Sequence, residues 1–442
     1  CAKDYKGKLS SYTPSATVVK NASYESTVLL KNKNGILPLK TGTVVGLVGD
    51  IIVNYNGEET DNSDKANDLA YYMRNQGCVA SGFLRGYSMC EDRSESLLPE
   101  LAMSLASVDT VFLFMGTNPK REAQMIKTQN LYLPANQLAA LEAIHKAGKK
   151  IVAVVSSNLS FDTTFDSLVD ALLVAPLNTK YGAEAAIDII MGKAQAIGRL
   201  ANTLYRNTEL IDKKQSYYLD LPSARVGTFL GYRYYDTAGF DVAYPFGFGV
   251  SNAKFKYSNI SVQANSVVFT VKNKGKSVAT EVVQLYVGLK KSNRLSPKKE
   301  LVGFEKITLQ PDSTMTLSIA LDNLERFDSV RGEWAFEQGE YILYIGTSVS
   351  DIKLTHKIML GNATLENVNE RTSDYLQSVT NIISDRFTLE ADYKLMKRNA
   401  RNIIFGIGSL LLSIAMFVFS PMAGSVGIFF TVVAAILAVA GV

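Results

Sequence analysis

Cysteine and histidine are scarce in this chain of 442 residues, which has three cysteines and two histidines. Cys1, Cys78 and Cys90 form no CxxC pair, and with so few histidines they cannot build a Cys/His zinc cluster. The sequence therefore gives no indication of a metal or another cofactor. Whether Cys78 and Cys90 pair as a disulfide or remain free thiols is left open by their spacing.

An excess of charge of one sign is also lacking. Lys and Arg number 46 against 42 Asp and Glu, a formal net charge of +4, so the overall balance indicates no nucleic-acid partner. Hydrophobic residues make up 47% of the chain, which excludes a wholly disordered protein. At about 150 residues per domain, the length predicts two to four folding units.

Signature motifs of two large enzyme classes are missing. No glycine-rich phosphate loop follows the first predicted strand, which ends at Gly49, and Gly-x-Ser-x-Gly is absent. His145 lies in a helical stretch and His356 on a predicted edge strand, and both are expected to be structural. Nucleotide binding and serine-type hydrolysis therefore have no support.

The end of the chain has the strongest local pattern. Residues 402–442 contain no charged side chain and divide around Pro421 into two apolar arms of about 17 to 18 residues. That length is the lower limit for crossing about 30 Å of hydrocarbon. The sequence therefore predicts a C-terminal two-helix transmembrane hairpin, with the lipid bilayer as a partner.

The side of the membrane is less well indicated. A basic collar of Lys394, Lys397, Arg398 and Arg401 favours a cytoplasmic location for the upstream region. Long domains, however, cross membranes largely regardless of charge, so we expect the soluble domains to be extracytoplasmic, where polysaccharide-derived substrates are mostly met. Cys1 at the start is consistent with a lipid-modified residue or with an excised fragment.

Residues 42–201 alternate short apolar runs with amphipathic helical stretches, a pattern typical of a mostly parallel α/β sheet. After Phe255 the period changes to two, which predicts a β-sandwich of about 100 residues. Residues 361–401 are polar and helix-prone and are interpreted as a stalk or linker. The predicted strands of the first region are Thr43–Gly49, Val111–Met115, Ile151–Val155 and Ala171–Ala175.

An ordered series of motifs then identifies a family. The series contains ESTVLLKNKNGILPL from Glu25, LYLPANQ from Leu131, GYRYYD from Gly231, YPFGFGVS from Tyr244 and KELVGFEK from Lys299. It resembles the α/β sandwich domain and the fibronectin type III-like domain of glycoside hydrolase family 3, the β-glucosidase and β-xylosidase group. The predicted division is a leader or linker at 1–22, an α/β sandwich domain at 23–254, a fibronectin type III-like β-sandwich at 255–360, a helical stalk at 361–401 and the hairpin at 402–442.

The resemblance implies retaining hydrolysis, which needs an Asp nucleophile and a second carboxyl group about 5 to 5.5 Å from it. In the family the nucleophile lies on a (β/α)8 barrel of about 250 residues, and we expect none in this sequence. The acid/base position, counted back from Leu131, falls on Gln124, which cannot deliver a proton at neutral pH. Glu122 is a weak substitute candidate, the alternative being an exposed charged loop residue beside Arg121.

These features predict a catalytically incomplete scaffold or carbohydrate-associated protein at a membrane, with β-linked saccharides as expected ligands. One alternative is half of a split or processed β-glycosidase whose barrel lies upstream or on another chain. Another is a purely structural subunit of a membrane or envelope assembly. Trp334 is expected to lie in the sandwich core rather than to stack on a sugar.

Overall fold

The computed structural model describes residues 15–55, 63–90, 97–128, 131–206, 229–251, 253–292, 296–322, 324–328 and 332–364. Cys1, the part of the predicted stalk from residue 365 onward and the predicted hairpin at 402–442 lie outside these residues. Within the described residues, no helix is long and apolar enough to cross a membrane.

A six-stranded sheet forms the centre of the first domain. Its strand order is β1-β6-β5-β4-β2-β3, with β2 to β6 parallel and β1 antiparallel to β6. The predicted, mostly parallel sheet is therefore confirmed, and two further strands, β1 and β3, complete it. The strands are β1 (Val28–Asn32), β2 (Val44–Val48), β3 (Val79–Leu84), β4 (Thr110–Gly116), β5 (Lys150–Ser156) and β6 (Ala171–Val174).

Helices cover both faces of this sheet. Along β4 every residue is buried, and alternate side chains enter two separate cores, Val111 on one face and Phe112 on the other. Helices α3 and α5 pack on the first face, and α2 and α6 on the second. Each fully buried aliphatic or aromatic side chain stabilises the fold by about 1.5–3 kcal/mol. The helices are α1 (Ala16–Ser26), α2 (Ser63–Asn75), α3 (Leu97–Ser104), α4 (Pro119–Thr128), α5 (Ala135–Lys146), α6 (Lys180–Ile190) and α7 (Tyr232–Ala238).

Helix α1 starts before the domain boundary predicted at residue 23. Its Ser15 cap accepts a hydrogen bond from Val18 N, and Tyr24 on its last turns donates to the Asp188 carboxylate of α6. Tyr72 of α2 donates to the same oxygen at 2.9 Å. Burial and then the hydrogen bond to Asp188 raise the pKa of Tyr24 to about 12. The first helix is thereby joined to the sheet's helical layer.

The second domain is a β-sandwich, as predicted. One sheet has the order β10-β9-β14-β15 and the other β11-β8-β7, and all pairs are antiparallel. Their inner faces share one core that includes Phe269, Leu285 and Leu343. The strands are β7 (Phe255–Gln263), β8 (Ser266–Asn273), β9 (Ala279–Leu289), β10 (Glu300–Leu309), β11 (Thr314–Ala320), β12 (Arg326–Asp328), β13 (Glu333–Ala335), β14 (Gly339–Gly346) and β15 (Ile352–Leu360).

Trp334 does not lie in the core, so the expectation for this residue is wrong. It is 69% exposed on β13, which pairs with β12 in a separate two-stranded ribbon. The neighbouring Phe336 packs against the sandwich core instead. Trp334 and Phe336 are two residues apart and would share one face of a continuous strand. Because β13 ends at Ala335, the period-two pattern does not extend to Phe336.

Buried polar contacts join the two domains. Arg199, in the segment after α6, contacts Glu281 of β9 at 2.6 Å, and both side chains are less than a tenth exposed. Gln284 of the same strand donates to Gly247 O at 3.1 Å and to Thr347 O at 2.7 Å. Lys299 lies 2.9 Å from Asp236 of α7. These contacts fix the sandwich against the end of the α/β domain.

Replacing Glu281 by Gln is expected to lower the free energy of unfolding by about 3–5 kcal/mol, because it leaves the buried Arg199 charge without its counter-ion. Glu25→Gln is the matched control. Its partner Lys306 lies 2.6 Å away across the same junction, but both groups are about half exposed, so a change of at most about 1 kcal/mol is expected. Urea unfolding of both variants measures the two changes in the free energy of unfolding. Equal losses would contradict a dominant role for the Arg199–Glu281 ion pair at the junction.

Candidate functional site

A cleft lies where the sheet reverses its strand order. From β2 the chain goes outward to β3 and then returns to β4 on the other side of β2. In open α/β sheets this switch point leaves a crevice at the carboxyl ends of the strands, where ligands bind. β4 ends at Gly116, whose φ is 147° and where a Cβ atom would lie 2.0 Å from Ser156 O. Only glycine permits the chain to leave the sheet here.

Four parts of the chain line the cleft, which has a volume of about 220 Å³. Residues 88–90 come from the loop after β3, Gly116 and Asn118 from the end of β4, and Pro134 and Gln137 from the start of α5. Helix α4 adds Lys120, Arg121 and Gln124. Of the described residues that line it, none is Asp or Glu.

The floor of the cleft is fixed by side-chain amides. Gln137 accepts a hydrogen bond from Gly116 N at 2.9 Å and donates one to Gly116 O at 2.8 Å. Its amide therefore satisfies both backbone polar groups of the last residue of β4. Asn118 accepts from Arg121 N at 2.8 Å and starts helix α4. Both amides are buried, and satisfied buried amides of this kind hold loops in one conformation.

Asp50 organises the wall of the cleft. Its carboxylate is fully buried just after β2. It accepts from Arg85 Nε at 2.7 Å, from Met89 N at 2.6 Å and from Asn54 Nδ2 at 2.9 Å. Because Arg85 and Met89 belong to the chain that leaves β3, this single carboxylate fixes the loop that carries residues 88–90.

Tyr87 anchors the same loop from below. Its side chain is fully buried, and its hydroxyl donates to Phe114 O at 2.6 Å and accepts from Ile51 N at 3.4 Å. Burial raises the pKa of Tyr87 well above its ordinary value. The phenol therefore stays neutral and acts as a hydrogen-bonding bridge between β2, β3 and β4.

The predicted acid/base position lies at this cleft. Gln124 is exposed on α4, and its Oε1 accepts from Arg121 Nη1 at 3.3 Å. Residues 119–128, which the sequence analysis treats as a loop, form helix α4. Asn118 caps this helix, and Pro119 stands at its first position, where proline is favoured.

The expectation that Glu122 is an exposed loop residue is wrong, since it is only 7% exposed. One oxygen accepts from Thr117 Oγ1 and from Asn158 N, both at 2.8 Å, and the other accepts from Asn158 Nδ2 at 3.0 Å. Burial and then the Glu122 charge raise the pKa of nearby Tyr55. Glu122 joins the loops after β4 and β5 and is not among the residues that line the cleft.

The two histidines and Cys78 are not among the residues that line the cleft, whereas Cys90 is one of them. His145 contacts Leu168 O at 3.2 Å on the exposed side of α5, and His356 lies on edge strand β15. Cys78 is buried and Cys90 exposed, and neither forms a disulfide. In the part of the chain that the structure describes, no group of three His, Cys, Asp or Glu side chains could hold a metal ion.

Sequence reasoning missed several residues of the cleft. Asp50 and Arg85 belong to none of the quoted motifs, and Gln137 ends the LYLPANQ motif without an assigned role. The roles of all three depend on contacts between segments far apart in sequence. One signal was present, because Asp50 and Asn118 each follow an apolar run closely. Polar residues directly after buried parallel strands meet at one edge of a sheet.

Comparison with known proteins identifies the family. Residues 27–252, just over half of the chain, match the glycosyl hydrolase family 3 C-terminal domain, and residues 281–349 match the fibronectin type III-like domain. The chain belongs to glycosyl hydrolase family 3 and is related to its β-glucosidases.

Individual relatives agree with this assignment. The chain is 29% identical over 428 residues to thermostable beta-glucosidase B of Acetivibrio thermocellus, covering 87% of this chain and 56% of that protein. It is 31% identical over 372 residues to an exo-alpha-(1->6)-L-arabinopyranosidase of Bifidobacterium longum, covering 78% of this chain and 48% of that protein. The crystal structure of a Bifidobacterium adolescentis GH3 beta-glucosidase superposes with a TM-score of 0.69 at 27% identity, covering 86% of this chain and 59% of that one. The chain thus spans about half the length of the curated relatives it matches.

Replacing Asp50 by Asn is expected to lower the free energy of unfolding by about 1.5–3 kcal/mol, because Arg85 and Met89 N lose a charged acceptor. Asp109→Asn serves as the control, since Asp109 is exposed next to β4 and a change within about 0.5 kcal/mol is expected. Chemical denaturation of both variants provides the comparison. A loss for Asp50→Asn no larger than that for Asp109→Asn would show that the carboxylate does not organise the wall.

Proposed function

We propose that this protein is a membrane-anchored relative of the family 3 β-glucosidases that binds β-linked saccharides and is catalytically incomplete by itself. The observation that carries this proposal is the composition of the cleft. At the position where the family resemblance places the acid/base glutamate, the cleft has Gln124. An amide cannot donate a proton to a leaving group at neutral pH.

Glu122 does not replace the missing acid. To reach the cleft, its carboxylate would have to leave Thr117 and both nitrogen donors of Asn158. Hydrogen bonds to a charged group stabilise a fold by about 1.5–3 kcal/mol each. The contacts support a structural role, in which Glu122 joins two loops next to the cleft.

Membrane anchoring is the second part of the proposal, and its support is the sequence of residues 402–442. Two uncharged arms separated by Pro421 have the length that a pair of short spans needs. An anchored, saccharide-binding α/β and β-sandwich pair would hold glycans or a partner glycosidase near the bilayer. We place these domains on the extracytoplasmic side, where such glycans are met.

Replacing Glu122 by Gln is expected to lower stability by about 1–3 kcal/mol without changing hydrolysis of an aryl β-glucoside, because the carboxylate serves the fold and not the chemistry. Release of nitrophenol by the purified full chain should stay at the buffer background for the wild type and the variant. Thermal unfolding measures the stability change.

Glu142→Gln, an exposed change on α5, is the control for both measurements. One outcome would overturn the proposal. In it, the wild type and Glu142→Gln both hydrolyse the glucoside, and folded Glu122→Gln does so at least 100-fold more slowly, a loss typical of a missing general acid.

The double variant Ile414→Arg, Val433→Arg has one arginine near the middle of each arm. It is expected to be released from the membrane. Each arginine costs about 2.5–3.5 kcal/mol at the centre of a spanning helix. Extraction of membranes with alkaline carbonate separates integral from peripheral protein. The wild type should stay in the pellet and the double variant should move to the supernatant, whereas release of the wild type would contradict an integral anchor.

A second candidate is one half of a split or processed β-glycosidase. The observation that favours it is the coverage of relatives, since the chain corresponds to about half of their length. Affinity purification from native membranes would then recover a stoichiometric chain with a (β/α)8 barrel. In that complex, Gln124→Glu is expected to raise hydrolysis by about 100- to 10,000-fold, and no change would remove this candidate.

A further inference from the structure

We propose that five lysines at one corner of the β-sandwich hold this domain against the surface of a bilayer that contains anionic lipid. They are called the lysine face and comprise Lys254, Lys256, Lys272, Lys274 and Lys276. The inference rests on the proposed membrane anchoring, because it adds a second contact between the protein and the same bilayer. Its support is the position of these side chains, their charge and the length of chain that separates them from the anchor.

Two neighbouring strands bring the lysines together. Lys256 of β7 lies directly opposite Lys272 of β8, and Lys274 N donates to Lys254 O at 2.6 Å just beyond the ends of these strands. Val271 is fully buried in the sandwich core. Because successive side chains of a strand point to opposite faces, Lys272 and the lysine opposite it face outward.

The turn that carries Lys274 and Lys276 is held by a buried amide. Asn273 is fully buried, accepts a hydrogen bond from Gly275 N at 2.7 Å and donates one to Ser277 O at 2.9 Å. A satisfied buried amide of this kind fixes the backbone around it. The turn therefore presents both charges from a defined position beside the two strands.

The charge of the lysine face is largely uncompensated. In the part of the chain that the structure describes, its one ion pair joins Lys272 to Asp312 at 3.5 Å, and the Asp312 side chain is 77% exposed. The undescribed residue that adjoins the face in sequence, Asn252, carries no charge. Other lysines of the sandwich have acidic partners at 2.6 to 3.8 Å, namely Lys290, Lys299, Lys306, Lys353 and Lys357.

The opposed pair of Lys256 and Lys272 is unfavourable for the sheet itself, because like charges directly opposite each other on antiparallel strands repel. Contact with an anionic surface relieves this repulsion. Lysines two residues apart on a strand are about 6.6 Å apart, and neighbouring strands are about 4.8 Å apart. Cations spread over a surface in this way fit the plane of lipid headgroups, where each lysine adds to the attraction.

The chain between the sandwich and the predicted hairpin is long enough for both to reach one bilayer. The sandwich is described to residue 364, and the hairpin is predicted to begin at residue 402. A random coil of that length has an end-to-end distance of about 35 Å. The sandwich itself is about 30 Å long, since β7 has nine residues.

The test uses the full chain reconstituted in vesicles of phosphatidylcholine, alone or with about 30% phosphatidylglycerol. A membrane-impermeant amine reagent labels exposed lysines, and mass spectrometry gives the rate for each lysine. A lysine beside an anionic leaflet gains about 1 kcal/mol, which equals about fivefold in affinity. The lysine face is therefore expected to be labelled about fivefold more slowly on the anionic vesicles at low salt. The difference should disappear at about 1 M salt, where charges are screened within about 3 Å.

A triple variant separates the face from its individual lysines. Changing Lys256→Gln, Lys274→Gln and Lys276→Gln together should remove the protection of the two lysines that remain, Lys254 and Lys272.

The charge-matched control is Lys33→Gln, Lys146→Gln and Lys150→Gln, three exposed lysines of the α/β domain. This control should keep the protection. Loss of protection in both triple variants would indicate general charge attraction and overturn the inference. Protection by added heparin but not by anionic lipid would assign the face to a soluble acidic polymer and would also overturn it.

The anchor is checked on the same vesicles. Equal labelling of the lysine face on both lipid compositions, with the chain retained after carbonate extraction, would overturn the inference and leave the anchoring intact. A chain that leaves the vesicles in carbonate would remove the proposed anchor and this inference with it.

Discussion

The burial of β4 on both faces is the constraint on which the rest of this structure depends. Since all seven of its residues are buried, polar chemistry can occur only where the strand ends. The close approach of Gly116 to Ser156 O turns the chain at that point, and Gln137 satisfies the polar backbone atoms that the turn exposes. The cleft is the direct consequence, because neighbouring strands end at the same edge with polar loops.

Buried charges then hold these loops in place. Asp50 gathers Arg85, Met89 and Asn54 around one carboxylate, and Glu122 performs the same task for the loops after β4 and β5. In both cases the buried carboxylate accepts hydrogen bonds from more than one segment of the chain. Buried carboxylates beside the cleft therefore position the loops that surround it.

Much of the fold could be predicted from the sequence, because period and composition report burial directly. β4 and β5 are uninterrupted apolar runs, and the sandwich strands alternate at period two. Edge strand β3 was missed because its half-exposed residues include Ser81 and Gly82, which give no strand pattern.

The candidate site was less predictable, because its geometry depends on contacts between distant segments. Gln124 could be found by its distance from the Leu131 motif, but the burial of Glu122 depends on Asn158, on a different strand end. Trp334 shows the same limit, since a short ribbon outside the main sheets decided its exposure. Local patterns predict elements, whereas partners across the fold determine what each side chain can do.

A structure of the full chain with a methyl β-glycoside bound would test the central claim most directly. The account predicts an intact glycoside in the cleft at the carboxyl ends of β3 and β4, close to Gln124, with Glu122 still bonded to Thr117 and Asn158. A cleaved sugar in the cleft, or a Glu122 carboxylate turned to the glycosidic oxygen, would contradict it.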